Sequence, residues 1–130
     1  MWKIDTTQTG IPAIFTEWQW NALEHIYKQR SGITTRTLFD NVKSQIKISR
    51  ASIHFFLDKL VDAEIINADE KSGKGGFHGI HKVLVEREDL PRKITLDTLE
   101  TIKSVYPGDV FIDEVLAYAL DILPNSHKIK

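Results

Sequence analysis

From residue 16 onward the apolar positions recur at helical spacing. Trp18, Ala22, Leu23, Ile26 and Tyr27 fall on one face of a helix that runs to about residue 30. Thr16 and Gln19 stand at capping-box spacing with Phe15 as a staple before them, and Ser31-Gly32 ends the segment. Ile33-Thr34 reads as a short extended link. A second helix, roughly Arg36 to Ser44, is capped by Thr34 or Thr35 and turns Leu38, Phe39 and Val42 inward. Gln45-Ile46-Lys47 connects it to Ser49, the cap of a third helix from Arg50 to Ala63. The stripe of that helix is Ile53, Phe56, Leu57 and Leu60, and its other face begins with Arg50, Ser52 and His54. Two short helices joined in this way predict a helix-turn-helix.

The period then changes. Ile65-Ile66 opens a strand to about Asp69, and residues 81 to 86 (HKVLVE) return as its partner. Val83 and Val85 take one face, Lys82 and Leu84 the other. The segment between, Glu70 to Ile80, holds four of the seven glycines and has the composition of a long hairpin tip. Beyond Pro91 the helical period resumes over Thr95 to Val105, with Leu96, Leu99 and Ile102, until Pro107-Gly108 stops it. Asp109 caps a last helix, about Val110 to Leu123, which carries a wide apolar surface and ends at Pro124. Residues 1 to 15 form a leader in which Trp2 and Ile4 alternate with polar residues as a short edge strand. The fold class is therefore α+β and mainly helical: three helices and a β-hairpin in residues 16–90, with two appended C-terminal helices in residues 91–130.

Composition narrows the chemistry. Hydrophobic residues make up 42% and charged residues 27% of 130, ordinary values for a folded domain. There is no cysteine, which excludes disulfides and thiolate metal sites and fits a cytoplasmic setting. No apolar run approaches the roughly 20 residues that span a bilayer, so no membrane partner is expected. Net charge is −1, but it is unevenly spread. From Lys28 to Arg50 the cations Lys28, Arg30, Arg36, Lys43, Lys47 and Arg50 face Asp40 alone. After Thr95 the acids Asp97, Glu100, Asp109, Asp113, Glu114 and Asp121 outnumber Lys103, Lys128 and Lys130. A basic front and an acidic back suit docking of one face on a polyanion.

Thr16-x-x-Gln19-x-x-x-Leu23, and Ser49-x-x-Ser52-Ile53 followed by Leu57, Leu60 and Ile65-Ile66, resemble a winged-helix transcriptional regulator of the broad group that holds the MarR and BlaI/MecI penicillinase-repressor families. The resemblance covers residues 16 to 88. It departs at three points: Glu64 where glycine is frequent, Phe55 where a basic residue is common, and no Asp-x-Arg signature in the wing. It implies sequence-specific binding of duplex DNA by a homodimer, often in repression. The helix from Ser49 would enter the major groove, and the wing at residues 70–80 would touch the backbone. Carried onto this chain, Arg50, Ala51, Ser52, His54 and Phe55 would face base edges, Lys71, Lys74 and Lys82 would serve the wing, Arg36, Lys43 and Lys47 would lie near phosphates, and Ser49 counts with them as DNA-binding. Arg50 suits guanine or a phosphate, and Phe55 a thymine methyl or the core. The C-terminal helices are the expected dimer surface, because a palindromic site requires a two-fold protein. No cofactor is implied, and the resemblance names no small-molecule effector.

Two other classes compete. The winged helix could be a protein-interaction module of a larger assembly, with one ring of Phe55-Phe56 in a partner's groove. An enzyme finds little support. His54, His78 and His81 form no ligand motif, and SGKGG is not a phosphate-binding loop. Trp18 and Trp20 could stack on bases, but at helical spacing they are expected in the core.

Overall fold

The computed structural model describes residues 2–73 and 76–122, with side chains for all of these except 70–73 and 76–78. It is α+β and mostly helical, with five α-helices and a three-stranded antiparallel sheet among these residues. The chain divides into two units, residues 4–86 and residues 1–3 with 87–130.

In the first unit a short 3₁₀ turn, Ile11–Ala13, leads into α1 (Glu17–Lys28). The Thr16 amide donates to Gln19 Oε1 at 3.0 Å, the reciprocal bond of a capping box. Phe15, one residue before the cap, lies 6.2 Å from Trp20, the staple that the sequence anticipates. Trp18 and Phe15 both meet the Phe56 ring edge-on, at 5.3 and 6.1 Å, so these aromatics are packed core rather than a platform for bases. Strand β1 (Ile33–Thr34) precedes α2 (Thr35–Lys43), and the Thr34 hydroxyl accepts the Thr37 amide at the N-cap. Helix α3 (Arg50–Asp62) buries Ile53, Phe56, Leu57 and Leu60, the stripe read from the sequence.

The end of α3 closes at Glu64. Glu64 has φ 59°, the left-handed conformation that favours glycine. It holds a Schellman closure: the Ile65 amide donates to Leu60 O and the Glu64 amide to Val61 O, each at 2.9 Å.

Strands β2 (Ile66–Gly73) and β3 (Gly76–Val83) pair antiparallel from Ile66↔Val83 to Gly73↔Gly76, and β1 adds to the outer edge of β3. The glycine-rich stretch expected as a long tip is therefore mostly ladder. The ladder is made of main-chain bonds, and glycine weakens a strand without forbidding it. Only residues 74 and 75 lie between the paired glycines. Gly32 is required where it stands: its φ is 119°, and a Cβ there would collide with the Ile80 side chain. Tyr27 donates its hydroxyl to Val85 O at 3.0 Å, and Arg30 pairs with Glu86.

In the second unit, α4 (Leu90–Val105) begins five residues before the expected Thr95. Pro91 reads as a break but sits in the first turn, where its missing N–H costs nothing. Helix α5 (Val110–Ile122) follows a turn in which Asp109 Oδ1 accepts the Ile112 amide at 3.0 Å. Leu123, Pro124 and the tail after them lie outside the described residues. Lys103 and Asp113 pair at 3.5 Å between the helices. An open groove of about 530 Å³, lined by Pro91, Arg92, Thr95, Leu96, Ala119 and Ile122, separates the two ends of this hairpin. Trp2 and Ile4, expected as an edge strand, lie in no strand; Trp2 instead donates its indole N–H to Asp97 Oδ2 at 3.1 Å, beside the Lys93–Asp97 pair at 2.8 Å. No helix among the described residues is long and apolar enough to cross a membrane.

Candidate nucleic-acid interface

The stripe that α3 buries fixes what it shows to solvent. With Ile53, Phe56, Leu57 and Leu60 inside, the residues one turn-face away stand outside: Arg50, Ala51, His54, Phe55, Asp58 and Asp62 are all exposed. Phe55 is 74% exposed and so is not a core residue: its neighbour Phe56 takes the core position at 3%. Ser49 caps the helix by accepting the Ser52 amide at 3.1 Å, and the two hydroxyls lie 2.9 Å apart. These hydroxyls thus satisfy each other and the helix end, and Ser52 is half-buried. Ser49 and Ser52 act first as the frame of the helix end.

Four exposed cations belong to the same unit. Arg36 in the first turn of α2, Lys47 in the connection, Arg50 at the start of α3 and Lys82 on β3 are exposed and carry no ion pair among the described residues. Lys43 differs: its ammonium lies 5.1 Å from the Phe39 ring centroid and 3.9 Å from Asp40. Phe39, expected inside, is half-buried, with the Lys43 ammonium over its ring. The Lys82 amide donates to Asn67 Oδ1 at 3.1 Å, and its side chain shares the side of β3 where Ile80 covers Gly32. The side chain of Lys71 is not described, and Lys74 lies outside the described residues.

His81, one of the three histidines that form no ligand motif in the sequence, is 7% exposed. Its place in the register, paired with Ile33 and Ala68, turns it to the covered side of the sheet. Nε2 lies 3.4 Å from the Thr35 hydroxyl, and Nδ1 makes no hydrogen bond of good geometry among the described residues. Burial holds its pKa below the usual histidine value of 6.5, against weaker opposite effects from the nearby Asn67 main chain and the Asp58 charge. His25 is lowered too, by burial and then by Lys28. Among the described residues no three His, Cys, Asp or Glu side chains gather as a metal site.

Sequence reasoning missed Asp58. It lies four residues after His54 on the outward strip of α3, a signal that the helical period alone contains. A carboxylate there limits the basic face to the first two turns of the helix. No family model matches the chain, and no curated protein matches it.

Proposed function

We propose that the chain is a winged-helix regulator that binds duplex DNA, with the N-terminal half of α3 in the major groove and the β2–β3 hairpin against the backbone. The order helix, short strand, two helices, hairpin supports the winged-helix reading. One observation carries the function: the first turns of α3 present Arg50, Ala51, His54 and Phe55 outward, and the same unit holds the exposed cations Arg36, Lys47 and Lys82, which carry no ion pair among the described residues. A helix end of this kind fits a groove about 12 Å wide, with cations for phosphates beside it and side chains for base edges at its centre.

The test is binding to random duplex DNA at low salt, then selection from a random-oligonucleotide pool. Binding that weakens as salt rises, and a recovered consensus, are expected. Lys47→Ala with Lys82→Ala should lower affinity for every sequence and flatten the log–log salt slope by about one unit per contact. Arg50→Ala should also change the consensus. No binding at low salt would end this reading.

The exposed Phe55 ring with Asp58 behind it favours a second reading, a protein-interaction module. It gains if random DNA is not bound and Phe55→Ala abolishes capture of a defined partner.

A further inference from the structure

On the outward face of α3 an apolar ring stands beside a carboxylate. Phe55 and Asp58 are both exposed and three residues apart, so their side chains are neighbours on the helix surface. Ala51, one turn before Phe55 and also exposed, carries the apolar strip back toward the helix start. Asp58 makes no ion pair among the described residues. Neither side chain is needed to close the helix, whose core is Ile53, Phe56, Leu57 and Leu60 and whose cap is Ser49. On a face that docks on DNA both are unfavourable unless a base edge answers them. Phosphates repel the carboxylate, and a ring that meets no apolar group gains nothing by leaving water.

In the major groove a carboxylate accepts from the N4 amino group of cytosine, and an apolar side chain covers a C5 methyl group. The unmodified bases divide these two features. Cytosine has the amino group and no methyl. Thymine has the methyl, but beside it stands the O4 acceptor, which a carboxylate repels. Adenine has an amino donor and no methyl on the same base. A cytosine methylated at C5 carries both, on adjacent ring atoms.

We propose that Phe55 and Asp58 together recognise 5-methylcytosine in duplex DNA, the ring covering the methyl group and a carboxylate oxygen accepting from N4. Pairing with guanine uses one N4 proton, and the other points into the groove, so the base pair is kept. Methylation of the site then strengthens binding, and Phe55 and Asp58 are its specificity-determining residues. The inference rests on the DNA reading above, and its test separates the two.

The experiment selects binders from two random duplex pools, one with cytosine and one with 5-methylcytosine throughout. The recovered consensus is then made with cytosine, 5-methylcytosine or thymine at each pyrimidine in turn, the matching purine opposite, and titrated with the full chain at one salt concentration. At one position 5-methylcytosine should bind about threefold to tenfold more tightly than cytosine, as burial of one methyl group implies, and more tightly than thymine. Phe55→Ala should bind cytosine and 5-methylcytosine alike, with circular dichroism unchanged. Asp58→Asn should lose the preference over thymine, since its amide can donate to O4, and keep the preference over cytosine. A parent indifferent to the methyl group at every position overturns the proposal and leaves the DNA reading standing. A Phe55→Ala variant that keeps the methyl preference overturns it as well. An Asp58→Asn variant that rejects thymine as the parent does overturns the part given to Asp58. No binding to either pool at low salt overturns this inference and the DNA reading together.

Discussion

Residues 4–86 and residues 87–122 are both built on amphipathic helices, yet they leave different amounts of apolar surface in water. Of the ten large apolar side chains exposed among the described residues, seven lie between Ile102 and Ile122. The other three, Ile4, Phe55 and Leu84, are scattered through the first unit. The difference follows from layering. In the first unit each helix has a partner layer: α1 and α3 share the Phe15–Trp18–Phe56 cluster, and β3 brings His81 under cover beside Thr35 of α2. A two-helix hairpin has one contact face per helix and must leave the rest outside. Its packing also leaves the groove between Pro91 and Ile122 open. A lone exposed Phe55 is an interaction candidate only because of where it sits, whereas the exposed row Phe111, Tyr118 and Ile122 along α5, an apolar seam, is one by its extent.

The largest expected effect breaks this comparison if it fails. Leu60 is fully buried at the end of α3, and Leu60→Ala should destabilise the first unit by about 2–5 kcal/mol. Tyr118→Ala, measured at low protein concentration, should stay within about 0.5 kcal/mol of the parent. Urea unfolding followed by tryptophan fluorescence and circular dichroism makes the measurement. Equal costs at the two sites would mean that the seam is already packed within the monomer.

The same contrast governs how much could be read from the sequence. The stripes of α1 and α3, the Thr16–Gln19 and Ser49 caps and the Phe15 staple were legible because each is a local pattern with a single geometric solution. The extent of the β2–β3 ladder was not, since its bonds lie in the main chain and its residues carry the composition of a turn. Nor was the start of α4, where Pro91 has opposite meanings at the first turn and beyond it. In the candidate interface, the exposure of Arg50 and His54 followed from the inward stripe, whereas the stripe leaves Phe55 open between core and surface, and Ser52, expected on the outer face, is half-buried. The place of His81 did not follow, because its burial depends on strand register against β1 and β2, which the periodicity of one strand cannot supply.

A smaller effect sharpens the account of the first unit. Glu64 is the only non-glycine residue with positive φ among the described residues, and its Oε2 is buried without a partner. Glu64→Gly keeps both closing bonds of the Schellman turn and relieves the left-handed strain. It should raise stability by about 1 kcal/mol, net of the entropy glycine adds to the unfolded chain. Glu64→Ala, which keeps the Cβ, should gain less. If alanine stabilised as much as glycine, the buried carboxylate rather than the backbone would be the source of strain.

The last effect is spread over pH and is the smallest at any one value, and it separates the two units by their titrating groups. His25 and His81 both lie in residues 4–86, while residues 87–122 contain no histidine. Both groups have folded pKa values below the ordinary 6.5, so between the folded and unfolded values the unfolded chain binds more protons. Stability from these groups is complete above about pH 6.5 and falls as the pH drops through that value toward the folded pKa. Carboxylates lowered in the same unit, Asp5 by Thr7 and Glu86 by Arg30, act below the usual carboxylate range and leave the window from about pH 6.5 to 5 to histidine. Thermal unfolding of the first unit, followed by Trp18 and Trp20, should therefore weaken across that window. His81→Gln should flatten the dependence more than His25→Gln, because His81 is the more deeply buried. A slope unchanged in His81→Gln would mean that the His81 pKa does not shift on folding, with Asn67 and the Asp58 charge balancing burial.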